Sequence, residues 1–240
     1  MRSGNPTLND KMFQGTRVGP GQEVMTSSGS YMKTAILLAL CISAASFTWS
    51  EGGMGFAMIG FIAGLVFALI TIFKKEWAPI TAPLYAISEG VALGGISFAY
   101  QAQYPGIVLN AIMLTFAVMA MMLYLYSSGI IKVTDKLKKG IFAATGAIFL
   151  VYLVGFVMSF FGSGIPMIHG AGMIGIGFSL LVVGIASFNL LLDFDFIERA
   201  SATRSAPKYM EWFAAFGLMV TLVWLYLEIL RLLSKLNSRR

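Results

Sequence analysis

Along the chain, long apolar runs alternate with short polar breaks, and seven runs stand out: residues 34–50, 54–73, 78–102, 106–127, 140–162, 170–193 and 212–233. A helix needs about 20 mainly apolar residues to cross the hydrocarbon of a bilayer, so each run predicts a membrane-spanning helix. The first is short, and Trp49 and Ser50 mark its interfacial end. Turn-forming sequences fill several breaks: Glu51-Gly52-Gly53, Tyr104-Pro105-Gly106 and Gly162-Ser163-Gly164-Ile165-Pro166. Blocks of alternating polar and apolar residues do not recur, which argues against a β-barrel. The pattern predicts an all-α membrane protein built as a seven-transmembrane-helix bundle. Residues 1–33 are expected to form a flexible polar tail, 34–233 the helical domain and 234–240 a basic C-terminal tail.

Composition agrees with this pattern. Of 240 residues, 58% are hydrophobic and 12% charged, too little polar surface to cover a soluble domain. The net charge of +6 has a cause other than nucleic acid, and no nucleic-acid partner is expected. Lys and Arg precede the first run (Arg2, Lys11, Arg17, Lys33) and follow the second (Lys74, Lys75), the fourth (Lys132, Lys136, Lys138, Lys139) and the sixth (Arg199, Arg204, Lys208). The breaks after runs one, three and five contain none. Because Lys and Arg collect on the cytoplasmic side, the N-terminus is expected inside. Seven crossings then carry Arg231, Lys235, Arg239 and Arg240 outward against the rule, unless the last helix is re-entrant. Cys41, the single cysteine, has no partner within the chain for a disulfide. Gly60-x-x-x-Gly64 and Gly90-x-x-x-Gly94 place small residues on one helix face and predict close packing in the bundle.

The candidate chemistry lies in acids that interrupt apolar sequence. Glu89 stands in the middle of the third run, near the bilayer midplane, where a charge costs about 2.5–3.5 kcal/mol on insertion scales. Either it titrates or coordinates a cation, or it is a protonated acid hydrogen-bonded within the bundle. In both cases it is expected between helices, with a polar partner from another helix. Asp193 directly follows Leu190-Leu191-Leu192 and is expected buried near the inner surface. Asp195 and Glu198 suit a solvated helix end. Glu228 lies inside the seventh run with Arg231 one turn on, a spacing that permits a local pair. Glu211, just before Trp212, matches the depth of Asp193 and is expected to be wet.

Enzyme chemistry finds little support. With one histidine, His169, and one cysteine, zinc sites are excluded. Neither a nucleophile elbow nor a phosphate-binding loop is present, and an aspartyl dyad lacks its second aspartate. No enzyme activity, cofactor or resident metal is expected.

Several segments together are similar to the Bax inhibitor family, in its bacterial YccA-like branch. They are Ser3-Gly4-Asn5-Pro6-Thr7-Leu8, Tyr85-Ala86-Ile87-Ser88-Glu89-Gly90, Leu192-Asp193-Phe194-Asp195-Phe196-Ile197 and Trp224-Leu225-Tyr226-Leu227-Glu228-Ile229-Leu230-Arg231. The resemblance implies seven helices with the last one central, in the bacterial inner membrane. It also implies a pH-sensitive calcium leak gated by two aspartates, one in helix six and one in helix seven. Asp193 matches the first position and is where a calcium ion would pass transiently. The second position is Glu228 when aligned on Leu225-Tyr226-Leu227, or Thr221 when aligned on Ile229-Leu230-Arg231-Leu232-Leu233.

Two functions follow as expectations. One is a cation leak whose ion- and proton-sensing residues come from Asp193, Glu89, Glu228, Asp195 and Glu211, with calcium, protons and the lipid bilayer as partners. The other is a non-transporting regulator that binds a membrane protease or quality-control machinery through the N-terminal tail.

Overall fold

In the computed structural model, residues 23–50, 52–161, 170 and 172–239 are described. The N-terminal motif, His169 and the break at 162–166 lie outside them. Seven helices follow in order: α1 (Ser27–Phe47), α2 (Gly53–Phe73), α3 (Ala78–Gln103), α4 (Ile107–Ser127), α5 (Asp135–Phe160), α6 (Met173–Ala202) and α7 (Met210–Asn237). A 3-10 turn, Lys75–Trp77, leads into α3. All seven helices are long and apolar enough to cross a membrane. Among the described residues, the one extended pairing outside them is an antiparallel bridge between Val24 and Pro207.

Helices α1, α5, α6 and α7 are longer than their apolar runs because polar residues cap and extend them. α1 starts at Ser27 rather than residue 34, with the Thr26 side chain accepting from the Gly29 N–H at 3.0 Å; a threonine in that place satisfies one of the open donors of the first turn. Thr134 caps α5 in the same way, and Asp135 in the first turn complements the positive end of the helix. α6 continues past Asp193 to Ala202, so both aspartates are inside the helix rather than at its end. Residues 23–33, expected in a flexible tail, are instead built into the bundle, with Met25 buried. At the other terminus α7 extends to Asn237 and takes Ser234 and Lys235 out of the expected basic tail.

α7 is the central helix. Buried residues make up 78% of its most apolar stretch, against 17% for α5 and 22% for α1, α2 and α4. It packs on α1, α3, α4 and α6, with Phe213, Phe216 and Leu225 wholly enclosed. A helix apolar on every side belongs in an interior. The outer faces of α2 and α5 expose Phe61 and Phe149, where lipid tails are as apolar as the side chains.

Both glycine pairs act inside the chain. A Cβ on Gly60 would lie 2.6 Å from the Ala92 nitrogen and 2.7 Å from the Ser88 oxygen, so α2 and α3 meet backbone to backbone. Gly90 and Gly94 admit the α1 backbone at Cys41 and Ala45. Gly106, with φ of +84°, makes the left-handed turn that starts α4.

α7 runs the length of the bundle. Its 28 residues span about 42 Å at the helical rise. Its first turn touches Thr26, and Lys235 near its last turn donates to the Gly175 carbonyl and the Ser179 hydroxyl at 3.0 and 2.8 Å. Two of the C-terminal cations that break the charge rule are thus engaged within the bundle: Lys235 on α6 and Arg231 on Glu228.

Candidate functional site: Asp193 and Thr221 between helices six and seven

Asp193 is 0% exposed. The Thr221 hydroxyl of α7 donates to its Oδ2 at 2.5 Å and stands 3.5 Å from the Gly217 carbonyl of its own helix. Leu190, Leu192, Leu218 and Leu222 are buried around this level of the two helices. Asp193 lies about 14 Å before the end of α6, and Thr221 about 16 Å after the start of α7. The two helices run antiparallel, so the residues meet at one height. Asp193 is therefore deep in the bundle rather than near its surface, because α6 continues for more than two turns beyond it.

Asp195 is not solvated. It is buried, with Lys138 Nζ at 2.8 Å and Arg199 Nε at 2.9 Å. The capped start of α5 brings Lys138 over the end of α6, and Lys138 is itself buried. Beside this pair, Glu198 accepts from the Ser27 hydroxyl at 2.9 Å and the Tyr31 hydroxyl at 3.1 Å.

Glu211 is not wet either. It is 0% exposed and accepts from the Thr26 N–H at 2.9 Å and the Thr26 hydroxyl at 2.8 Å. Lys33 pairs with its other oxygen, and Lys208 lies 3.2 Å away. The carboxylate occupies the space that a Cβ on Gly29 would take. Chain folding buries it: Met25 N–H donates to the Ala206 carbonyl, and Lys208 N–H to that of Glu23. The residues before α1 thereby strap the α6–α7 connection.

Glu228 is buried in the other half of α7, about 10 Å further along the helix than Thr221. It meets Arg231 at 2.6 Å, as the spacing allows, and accepts from the Tyr152 hydroxyl at 2.8 Å. Arg231 also donates to that hydroxyl at 2.9 Å. Glu228 and Asp193 form no pair.

Glu89 is partly buried between α2 and α3. Its Oε1 would be 3.1 Å from a Cβ on Gly64, so the missing side chain on α2 leaves room for the carboxylate. Tyr85, one turn earlier on the same helix, is its polar neighbour. Among the described residues no hydrogen bond reaches Glu89 from another helix, so the expected cross-helix partner is not found.

The five acids chosen from sequence thus occupy five separate settings. Among the described residues, no three His, Cys, Asp or Glu side chains converge in a way that could hold a metal ion. The sequence offered Thr221 only as one of two alignments, and it gave no sign of Lys138, Tyr152 or Thr26 as partners. Each of those is remote in sequence from the acid it serves.

Neither a curated protein nor a solved structure matches the chain. A family profile does: the one described as "Bax inhibitor 1 like" matches residues 5–238. That match takes in all seven helices together with Asp193 and Thr221, and this multi-pass membrane protein therefore belongs to the Bax inhibitor 1-like family.

Proposed function

We propose that the protein is a pH-sensitive cation leak of the bacterial YccA-like branch, with its N-terminus cytoplasmic in the inner membrane. Its gate is the contact between Asp193 and Thr221, and calcium is the ion suggested by the resemblance. One observation supports this reading above others: an acid in the core holds α6 to the central helix through a hydroxyl. A protonated Asp193 is neutral and fits that core. An ionised one requires compensation by a cation or by water admitted between the helices. A hard cation such as calcium seeks carboxylate oxygen. With threonine opposite, the switch is the ionisation of one carboxyl rather than repulsion between two.

The test is calcium flux into dye-loaded liposomes between about pH 5 and 8. Asp193→Asn is expected to hold one permeability throughout. Thr221→Asp, which creates a carboxyl pair that resists double ionisation, is expected to move the response along the pH axis. Flux through Asp193→Asn that titrates like the parent overturns the gate.

A non-transporting regulator of a membrane protease is the second reading. It is favoured by the same threonine, since a proton-sharing aspartate pair is not formed there. Wild-type protein that passes no calcium at any pH supports the regulator. A deletion that separates the two functions should end at residue 22, because Thr26 and Lys33 hold Glu211.

A further inference from the structure

A cavity of about 740 Å³ opens in the half of the bundle away from the Lys/Arg-rich connections. α1 and α4 form its flanks, α3 and α7 its back. Leu38, Cys41, Leu93, Val108, Leu222 and Val223 give it an apolar wall. Away from Gln101, which accepts from the Val108 N–H at 3.4 Å, the hydroxyls on that wall are already engaged. Ser97 and Tyr226 hydrogen-bond to one another at 2.6 Å, while Ser46 and Thr115 donate to carbonyls of their own helices at 2.8 and 2.7 Å. Water in such a space would find too few of the two to four partners it needs, and a hydrated cation would find fewer.

At its sides the cavity meets residues that face lipid: Ile42 and Ile112 flank the gap between α1 and α4, and both are exposed. Its depth matches one leaflet. Leu38 to the end of α1 at Phe47 and the start of α4 at Ile107 to Phe116 each cover about 14 Å, close to half of the ~30 Å hydrocarbon core. Trp49, Gln101 and Gly106 lie at the end where the α1–α2 and α3–α4 connections emerge. An indole at that level is a usual anchor among headgroups.

We infer that this cavity is a binding site for one acyl chain of a membrane phospholipid, which enters sideways between α1 and α4 and lies against the central helix with its headgroup near Trp49. The occupant is committed by three features together. The wall is too apolar for water, the opening faces hydrocarbon, and the length is that of a single leaflet. The inference stands independently of any ion conduction, and the bound chain touches α7 at Leu222, next to Thr221.

The test uses full-length protein in phosphatidylcholine vesicles. A trace of the lipid carries a diazirine on one acyl chain, and adducts are mapped by mass spectrometry after irradiation. Adducts are expected on Leu222 and Leu93, which are buried from the surrounding bilayer, as well as on outward residues such as Phe61. Adducts confined to outward residues overturn the inference. Ile42→Trp combined with Ile112→Trp closes the entrance and is expected to abolish the Leu222 adducts while those on Phe61 persist. Leu222 adducts that survive the closure overturn sideways entry. A second measurement needs no substitution, because Cys41 is the only cysteine and lines the cavity. In an acyl-filled space it should resist a charged methanethiosulfonate. Ready labelling by the charged reagent means a water-filled space and overturns the acyl-chain site.

Discussion

The end of the bundle that holds Thr26 and the middle layer that holds Asp193 use carboxylates in different ways. At the end, Asp195 lies against Lys138 and Arg199, and Glu211 against Lys33 and Lys208. Those acids fasten α1, α5, α6 and α7 through ion pairs, and removing one partner would strand the other charge. In the middle, Asp193 meets a hydroxyl, a partner that serves the neutral and the ionised acid alike. Burial alone does not separate the two groups, since Asp193 and Glu211 are equally enclosed. The partner does. A buried acid matched by cations is a fastening, and one matched by a hydroxyl is a candidate for changing its charge.

Thermal unfolding of purified variants would test that contrast, and the largest effect is expected at Glu211. Glu211→Ala removes two hydrogen bonds from Thr26 and leaves Lys33 facing a vacated site, for a loss of about 3 kcal/mol. Asp195→Asn should cost about 2 kcal/mol, because Lys138 is buried while the Arg199 side chain is 48% exposed. Glu228→Gln keeps an oxygen for Tyr152 and gives up the charge facing Arg231, at about 1 kcal/mol. Asp193→Asn retains an acceptor for Thr221 and should cost under about 1 kcal/mol. For the pH response of calcium flux the order should invert, with Asp193→Asn flattening it and Asp195→Asn leaving its midpoint in place. If Asp193→Asn unfolds the protein as readily as Glu211→Ala, Asp193 is another fastening and the contrast fails.

Much of the fold was legible because membrane insertion writes itself locally. Apolar length marked seven helices, the glycine spacings marked α2 and α3 for close packing, and Glu228 with Arg231 could be paired within one turn. The settings of Asp195 and Glu211 were not legible. Both looked like wet helix ends, because part of what encloses them comes from distant helices: Lys138 of α5 meets Asp195 and Lys33 of α1 meets Glu211, 178 residues away, and no periodicity records such a distance. Helix ends were also underestimated, since Lys138 and Glu198 are charged residues that carry a helix beyond its apolar pattern, one before it starts and the other after it stops. Asp193 and Thr221 fall between these cases. Each stands in apolar sequence, but only the antiparallel packing of α6 on α7 sets them at one height.

The strap between residues 23–26 and the α6–α7 connection has a consequence for the order of assembly. The helices can enter the bilayer one after another as the chain is made. The hydrogen bonds from Met25 to Ala206 and from Thr26 to Glu211 cannot form until the last connection has been synthesised. Residues 23–26 therefore wait for some of the last to be made, and contacts this distant in sequence are slow to close. A nascent chain arrested before Glu211 would hold six inserted helices, with Lys33 still lacking its carboxylate and the central helix not yet in place.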